Sequence, residues 1–265
     1  MADWAHGYDV SVGYTYGYFR EMAPDWLDMC VRLNGFIPPR RGPEGQFRYL
    51  DLGTGQGFGL CLLAAANPQG EFLGIDFLPE HIAHAEALAD MAGLTNVRFV
   101  EADFNDLAAT WPDDFGKFDY VVMHGIYSWI PDQVRRSVIA CLAHSTRPGA
   151  LVYNSFNTPP GWQGLTAFQH VTRRLKETTG KTGKAVLDES FGLFDKLIEN
   201  NASLFKVMPN LKSRIDAVKK QKSAYAIQEY LNESWHPLWH SQVARDMAQV
   251  KLDHVGTATI AEVLL

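Results

Sequence analysis

Tyr49–Gly59 reads YLDLGTGQGFG, and no other stretch constrains the chain so tightly. A short apolar run ends at Asp51, glycines fall at 53, 55, 57 and 59, and small and apolar residues continue through Ala66. The pattern predicts a strand, a glycine-rich turn and then a helix over Gln56–Ala66. Glycines let the backbone approach a ligand closely, and the first turn of a helix offers free N–H groups. Such a strand–turn–helix is built for a nucleotide-like ligand. The spacing departs from the dinucleotide fingerprint G-x-G-x-x-G, because Phe58 falls where the third glycine belongs. An acidic residue, Asp51, stands two places before the first glycine.

From Phe47 to Asn154 strand-like and helix-like patterns alternate. Strands are expected at Arg48–Leu52, Glu71–Ile75, Val97–Val100, Phe118–Met123 and Ala150–Ser155. Helices are expected at Gln56–Ala66, Pro79–Ala92 and Asp132–His144, with a short one at Phe104–Thr110. This alternation means an α/β fold with a parallel, doubly wound sheet and right-handed crossovers. Ligands in such sheets sit at the carboxyl ends of the strands.

Asp51-x-Gly53-x-Gly55-x-Gly57 resembles the first motif of the class I S-adenosylmethionine (SAM) methyltransferases. The resemblance implies a Rossmann-like fold, SAM as cofactor and a cradle formed by Asp51, Gly53, Thr54, Gly55 and Gln56. The strand ends fit it. Asp76 closes the second strand, 25 residues after Asp51, and its carboxylate can accept both hydrogen bonds of a ribose diol. Phe77 beside it can pack on adenine. Asp103 after the third strand can accept from the adenine amino group, and Phe104 can flank the ring. Any one of these carboxylates alone reads as a helix cap; the three in register with the glycine turn make the pattern.

The fourth strand delivers His124-Gly125-Ile126-Tyr127-Ser128-Trp129 to the methyl-transfer side. The Asn/Asp-Pro-Pro-aromatic signature of amino-group methylases of DNA and of glutamine is absent there. Two roles fit His124: a general base with a pKa near neutrality, or a backbone carbonyl that holds the SAM amino group. Tyr127 and Trp129 fit either a channel for an amine, through cation–π contact, or the core. Arg147–Val152 is the turn into the fifth strand, and Asn157-Thr158-Pro159-Pro160-Gly161-Trp162 follows it. The HGIYSW and NTPPGW pair is similar to bacterial methyltransferases that precede a methyltransferase regulatory domain. That group includes rickettsial protein-lysine methyltransferases acting on outer-membrane proteins.

Residues 1–20 are rich in aromatics and glycine, with Trp4, Tyr8, Tyr14, Tyr16, Tyr18 and Phe19. Such a segment either covers the cofactor mouth, with Tyr16 or Tyr18 near the methyl group, or packs on the sheet edge. Pro24–Gly35 has helical spacing, and Ile37–Gln46 is a loop rich in Pro and Gly. Beyond the fifth strand, helices are expected at Leu165–Thr178, Ala185–Asn200 and Asn210–Lys222, an insert able to form a lid or substrate wall. Glu229 and Tyr230 fall near the expected substrate side. Pro237–Val250 reads as a last helix and Asp253–Ile260 as a sixth strand. Four segments result: 1–46, an aromatic cap and helix; 47–158, the SAM-binding core; 159–235, the helical insert; and 236–265, the last helix and strand. The sequence ends on an apolar Val-Leu-Leu, which reads as a piece of a longer protein.

Composition enters as an exclusion. The 265 residues carry a net charge of −6, which argues against a general nucleic-acid binder. Residues 1–165 are net −9 while residues 166–222 are net +6. The basic segment is either a surface for an acidic partner or a set of solvated helix faces. Apolar runs are strand-sized, so no membrane insertion is expected, and MADWAHGYDV lacks the basic and apolar regions of a secretory signal. Three cysteines in apolar contexts read as free thiols in a reducing, cytoplasmic setting. His236 and His240 are four apart, but Pro237 between them and the lack of a third ligand leave no metal site. The expected activity is methyl transfer from SAM to a nucleophile. A protein lysine amine is one acceptor, and an oxygen or nitrogen of a small molecule is the alternative; a non-catalytic SAM-binding module is the third reading. Oligomeric state is open.

Overall fold

The computed structural model describes residues 16–260. In chain order the elements are α1 (Pro24–Leu33), β1 (Phe47–Leu52), α2 (Phe58–Ala66), β2 (Gly70–Asp76), α3 (Pro79–Met91), β3 (Val97–Glu101), α4 (Phe104–Ala109), β4 (Phe118–His124), α5 (Asp132–Ser145) and β5 (Thr146–Ser155). Helices α6 (Gln163–Thr179), α7 (Gly183–Glu199), α8 (Leu204–Val207), α9 (Leu211–Lys219), α10 (Ser223–Leu231) and α11 (His240–Ala248) complete the chain. The described residues divide into a sheet unit, 16–127 with 132–155 and 241–260, and a helical unit, 128–131 with 156–240.

In the sheet unit five strands lie in the order β3-β2-β1-β4-β5, every pair parallel. The order reverses between β1 and β4, which makes their carboxyl ends the switch point where ligands of open α/β sheets sit. Strands covered on both faces must be apolar throughout. β4 nearly meets that demand: Phe118 to Met123 are all buried, and the one charged residue among them, Asp119, is paired with Arg147. One face is packed by Tyr49, Phe72, Tyr120 and Val122 against Leu27 and Val31 of α1, Leu60 and Leu63 of α2 and Ile82 and Ala85 of α3. Pro24 opens α1, where its missing N–H is harmless.

The sheet corrects one expectation. Asp253–Ile260 forms no strand among the described residues. The segment lies along α1 instead: the Ala258 carbonyl accepts from Trp26 Nε1 at 2.7 Å, and Val255 and Ala258 pack on the core. The helix expected from Gln56 begins at Phe58, because Gly57 takes a left-handed φ of 75° as its N-cap.

The helical unit has its own apolar core. Leu165 and Phe168 of α6, Val186 and Phe194 of α7, Leu211 and Ile215 of α9, and Ile227 and Tyr230 of α10 meet in it. Helix α6 ends on Gly180 in the left-handed conformation, the usual stop signal. His236 lies in a non-helical segment before Pro237, whereas His240 opens α11. The two histidines therefore do not share one helix face. Trp4, Tyr8 and Tyr14 lie outside the described residues.

Candidate active site

The glycine turn is built by conformation. Gly53, Gly55 and Gly57 all have positive φ, at 77°, 55° and 75°. Side chains disfavour that region by roughly 1–2 kcal/mol per residue. Space forbids them as well: a Cβ on Gly53 would overlap Ile126, and one on Gly57 would overlap Ala85. The Gly53 and Thr54 N–H groups donate to the Ile75 carbonyl at 2.7 and 3.0 Å, which pins the turn to β2.

Asp76 locks the turn from the other side. Its carboxylate accepts from Gly55 N at 2.9 Å and Leu78 N at 3.0 Å, and His81 Nδ1 lies 3.2 Å away. Asp51, 4% exposed, is held at the end of β1. Burial pushes its carboxyl up to about 7, with Thr54 opposing and the nearby Asp76 charge adding to the rise. Asp103 caps α4, its Oδ1 accepting from Asn105 N at 2.7 Å. Phe77 and Phe104 are partly buried after β2 and β3.

His124 ends β4 with its ring stacked on Phe19 at 3.6 Å and parallel to Tyr153 at 6.2 Å. Its Nδ1 lies 3.3 Å from the Tyr153 hydroxyl. Burial lowers its pKa to about 4, against a smaller opposing pull from Glu21. The ring is neutral near pH 7 and too weak a base to strip an alkylammonium of pKa ~10.4. A base poised near neutrality, one of the two expected roles, is therefore not what this environment makes.

Tyr16 and Tyr18 are 61% and 49% exposed. The Tyr16 hydroxyl lies 2.8 Å from His84 Nε2, and its ring meets Phe58 edge-on at 5.7 Å. His84 Nδ1 lies 3.0 Å from the Gln56 carbonyl, so it is the N–H of that contact. A relay of Tyr16, His84 and Gln56 thus anchors the segment on the glycine turn. A Cβ on Gly59 would lie 3.1 Å from the Gly17 carbonyl, which shows how closely the segment runs over the turn. Of the two readings of Tyr127, channel or core, the structure has the core: it is fully buried and its hydroxyl donates to Asp246 at 2.9 Å. Trp129 belongs to the helical unit, partly buried, with Nε1 enclosed and unpartnered.

The sheet unit thus gathers Asp51, Gly53, Thr54, Gly55, Gln56, Asp76, His124, Tyr16 and Tyr18, joined by four residues to which the sequence assigned no individual role. His81 and His84 sit three apart on α3, Ile126 packs on Gly53, and Phe19 stacks on His124. Only the i, i+3 spacing of the two histidines is visible in the sequence, and it names no chemistry by itself.

A family model described as a methyltransferase domain matches residues 44–257. The chain belongs to this methyltransferase family. The uncharacterized protein sll1526 of Synechocystis sp. is 32% identical over 259 residues, 98% of this chain and 50% of that one. The uncharacterized protein RP028 of Rickettsia prowazekii is 26% identical over 217 residues, 81% of this chain and 83% of that one. Among solved structures, PKMT2 from Rickettsia typhi in complex with AdoHcy is similar at a TM-score of 0.79 and 24% identity, over 94% of this chain and 46% of that chain. That likeness shows the fold. This methyltransferase spans about half the length of sll1526 and of the PKMT2 chain.

SAM is the cofactor of this class I fold, and the residues fit it. The glycines leave a cradle that side chains would fill, and Gln56 Oε1 is enclosed without a partner, an acceptor suited to a ligand donor. When bound, SAM supplies an electrophilic methyl group. The chain supplies a cluster of Phe19, His124 and Tyr153 rings at the end of β4 and a glycine turn locked by Asp76. Among the described residues no group of three His, Cys, Asp or Glu forms a metal site, and no helix is long and apolar enough to cross a membrane.

Proposed function

We propose that this methyltransferase transfers the SAM methyl group to an amine, the side chain of a protein lysine. The carrying observation is the aromatic mouth at the end of β4, where Phe19 and Tyr153 flank a neutral His124 and the Glu21 carboxylate acts on both His124 and Tyr153. Desolvation disfavours the ammonium form and so lowers the pKa of an incoming amine. Alignment then does much of the work, worth roughly 7–11 kcal/mol for well-oriented pairs. The resemblance of the HGIYSW and NTPPGW pair to rickettsial protein-lysine methyltransferases supports the same acceptor.

In this reading Asp76 takes the ribose hydroxyls, Phe77 and Phe104 flank adenine, and Asp103 accepts from its amino group. The glycine turn and the His124 carbonyl hold the methionine end. Tyr16, anchored through His84, and Tyr18 border the methyl. Three buried free cysteines suit a reducing, cytoplasmic setting.

The test uses SAM labelled in its methyl group, incubated with purified protein and a cell lysate. Label in protease-sensitive material that hydrolyses to methyl-lysine is the expected result. Label confined to small molecules would replace lysine by a metabolite acceptor. SAM binding with no transfer would reduce the chain to a binding module.

A further inference from the structure

Asp76 is offered more donors than its carboxylate can take. Three come from the chain itself. Leu78 N at 3.0 Å and His81 Nδ1 at 3.2 Å meet Oδ1, and Gly55 N at 2.9 Å meets Oδ2. A carboxylate accepts only, so the His81 ring carries its proton on Nδ1 at this contact. The two oxygens together offer about four lone-pair positions. Oδ1 has both of its positions filled, and Oδ2 has one of its two. A single position is left, while a ribose diol brings two hydroxyls.

The three donors differ in kind. Leu78 N and Gly55 N belong to the main chain, fixed where α3 begins and where the glycine turn is pinned to β2. His81 is the side chain among them, the donor that one substitution removes while the backbone stays in place. Its position is set by α3. Ile82 and Ala85 bury that helix in the core, and Ala85 lies directly against Gly57 of the turn. His84, three residues on, lies 3.0 Å from the Gln56 carbonyl. With α3 held at these points and His81 itself 8% exposed, the ring has little room to leave the carboxylate.

We propose that His81 is a specificity-determining residue: it fills the second position on Asp76 Oδ1, leaves one position on Oδ2, and so makes Asp76 the anchor of one ribose hydroxyl of the cofactor rather than of the diol. This rests on the ribose reading of Asp76 above and narrows it to a single contact.

The probes are S-adenosylhomocysteine and its 2′-deoxy and 3′-deoxy analogues, each titrated calorimetrically into the purified protein. A hydroxyl that donates to a carboxylate is worth about tenfold or more in Kd. In the wild type one analogue should lose at least that much, and the other should bind within threefold of the parent. His81→Phe keeps a ring in the space and returns the Oδ1 position. The second hydroxyl should then matter: its parent-to-analogue ratio should rise at least fivefold, while the ratio for the first stays within twofold. A merely structural histidine would weaken all three ligands together and leave both ratios unmoved, which overturns the proposal. If His81→Phe does not fold, the wild type decides alone, since losses of tenfold or more for both analogues also overturn it. Asp76→Ala separates this from the reading beneath it. An unchanged Kd for the parent would take Asp76 off the ribose and the proposal with it. A weakened Kd, together with unmoved ratios in His81→Phe, would overturn only the part given to His81.

Discussion

Gly57 and Gly93 share a left-handed φ, 75° and 65°, and differ in what surrounds them. A Cβ on Gly57 would overlap Ala85 and lie 3.0 Å from its Cα, while one on Gly93 would meet nothing within 4 Å. Strain of roughly 1–2 kcal/mol is common to both alanine variants. Overpacking, about 1–3 kcal/mol, belongs to Gly57→Ala alone. Urea unfolding should therefore place Gly57→Ala at least ~1 kcal/mol below Gly93→Ala, and equal losses would remove the contact argument. Asp76 makes a second prediction at this scale. Its carboxylate holds Gly55 N and Leu78 N, so Asp76→Ala removes both a ribose acceptor and the lock on the turn. SAM affinity should fall at least tenfold by calorimetry; an unchanged Kd would take Asp76 out of the cofactor site. The left-handed glycines and the place of Asp76 at the end of β2 were legible because they depend on spacing along the chain. Phe19, Ile126 and His84 were not, because each gains its role from a residue dozens of positions away. Tyr127 was half legible: an aromatic after β4 is visible, but its hydroxyl answers to Asp246, 119 residues on.

Elements are joined by side chains that periodicity does not reveal. Arg41, in the loop before β1, donates to Asp25 at 2.6 Å and Asp28 at 3.0 Å on α1, and its Nε donates to the Tyr120 hydroxyl of β4 at 3.2 Å. Tyr120 in turn donates to Asp28 at 2.7 Å. The Arg41 guanidinium also covers the Phe47 ring at 4.9 Å. Burial raises the Asp28 pKa, and Tyr120 and Arg41 hold it down. Arg41→Met leaves that half-buried charge with one donor and should destabilise by about 2–3 kcal/mol, below the 3–5 of a fully buried pair. Asp28→Asn added to Arg41→Met should recover part of the loss in chemical denaturation, since it removes the stranded charge. No recovery would mean that the loss is packing over Phe47. The strands and helices of the sheet were readable because each buries its apolar residues at its own period. The strand expected at Asp253–Ile260 shows the limit. Val255, Thr257 and Thr259 alternate as a strand should, but Trp26 claims the Ala258 carbonyl and α1 claims the apolar side chains. Alternation records a half-buried extended chain, not what it lies against.

At the scale of the whole molecule, stability must carry a signature of the buried carboxyls. Asp51 in the sheet unit is pushed from 3.8 to about 7, by burial first, then by Asp76, with Thr54 opposing. Glu229 in the helical unit is pushed from 4.5 to about 7 by burial, against its three donors. Both pKa values are raised on folding, so the folded chain holds these protons more tightly than the unfolded chain. Their contribution to stability is full below about pH 4 and is lost as pH rises through 7. For Asp51, 4% exposed, the span converts to on the order of 2–4 kcal/mol. Asp51→Asn removes the charge that must be buried at high pH. Relative to the wild type, its Tm without SAM should be nearly unchanged at pH 4 and higher by several degrees at pH 8, with the gap opening between them. Scanning calorimetry at half-unit pH steps reads the difference directly. A gap that is constant with pH would mean that Asp51 is already ionised in the folded chain at pH 4, and burial would not be the force that sets its charge. A gap that opens as expected ties the acidic residue of the glycine motif to a measurable strain, held by the fold at the switch point of the sheet where the cofactor must bind.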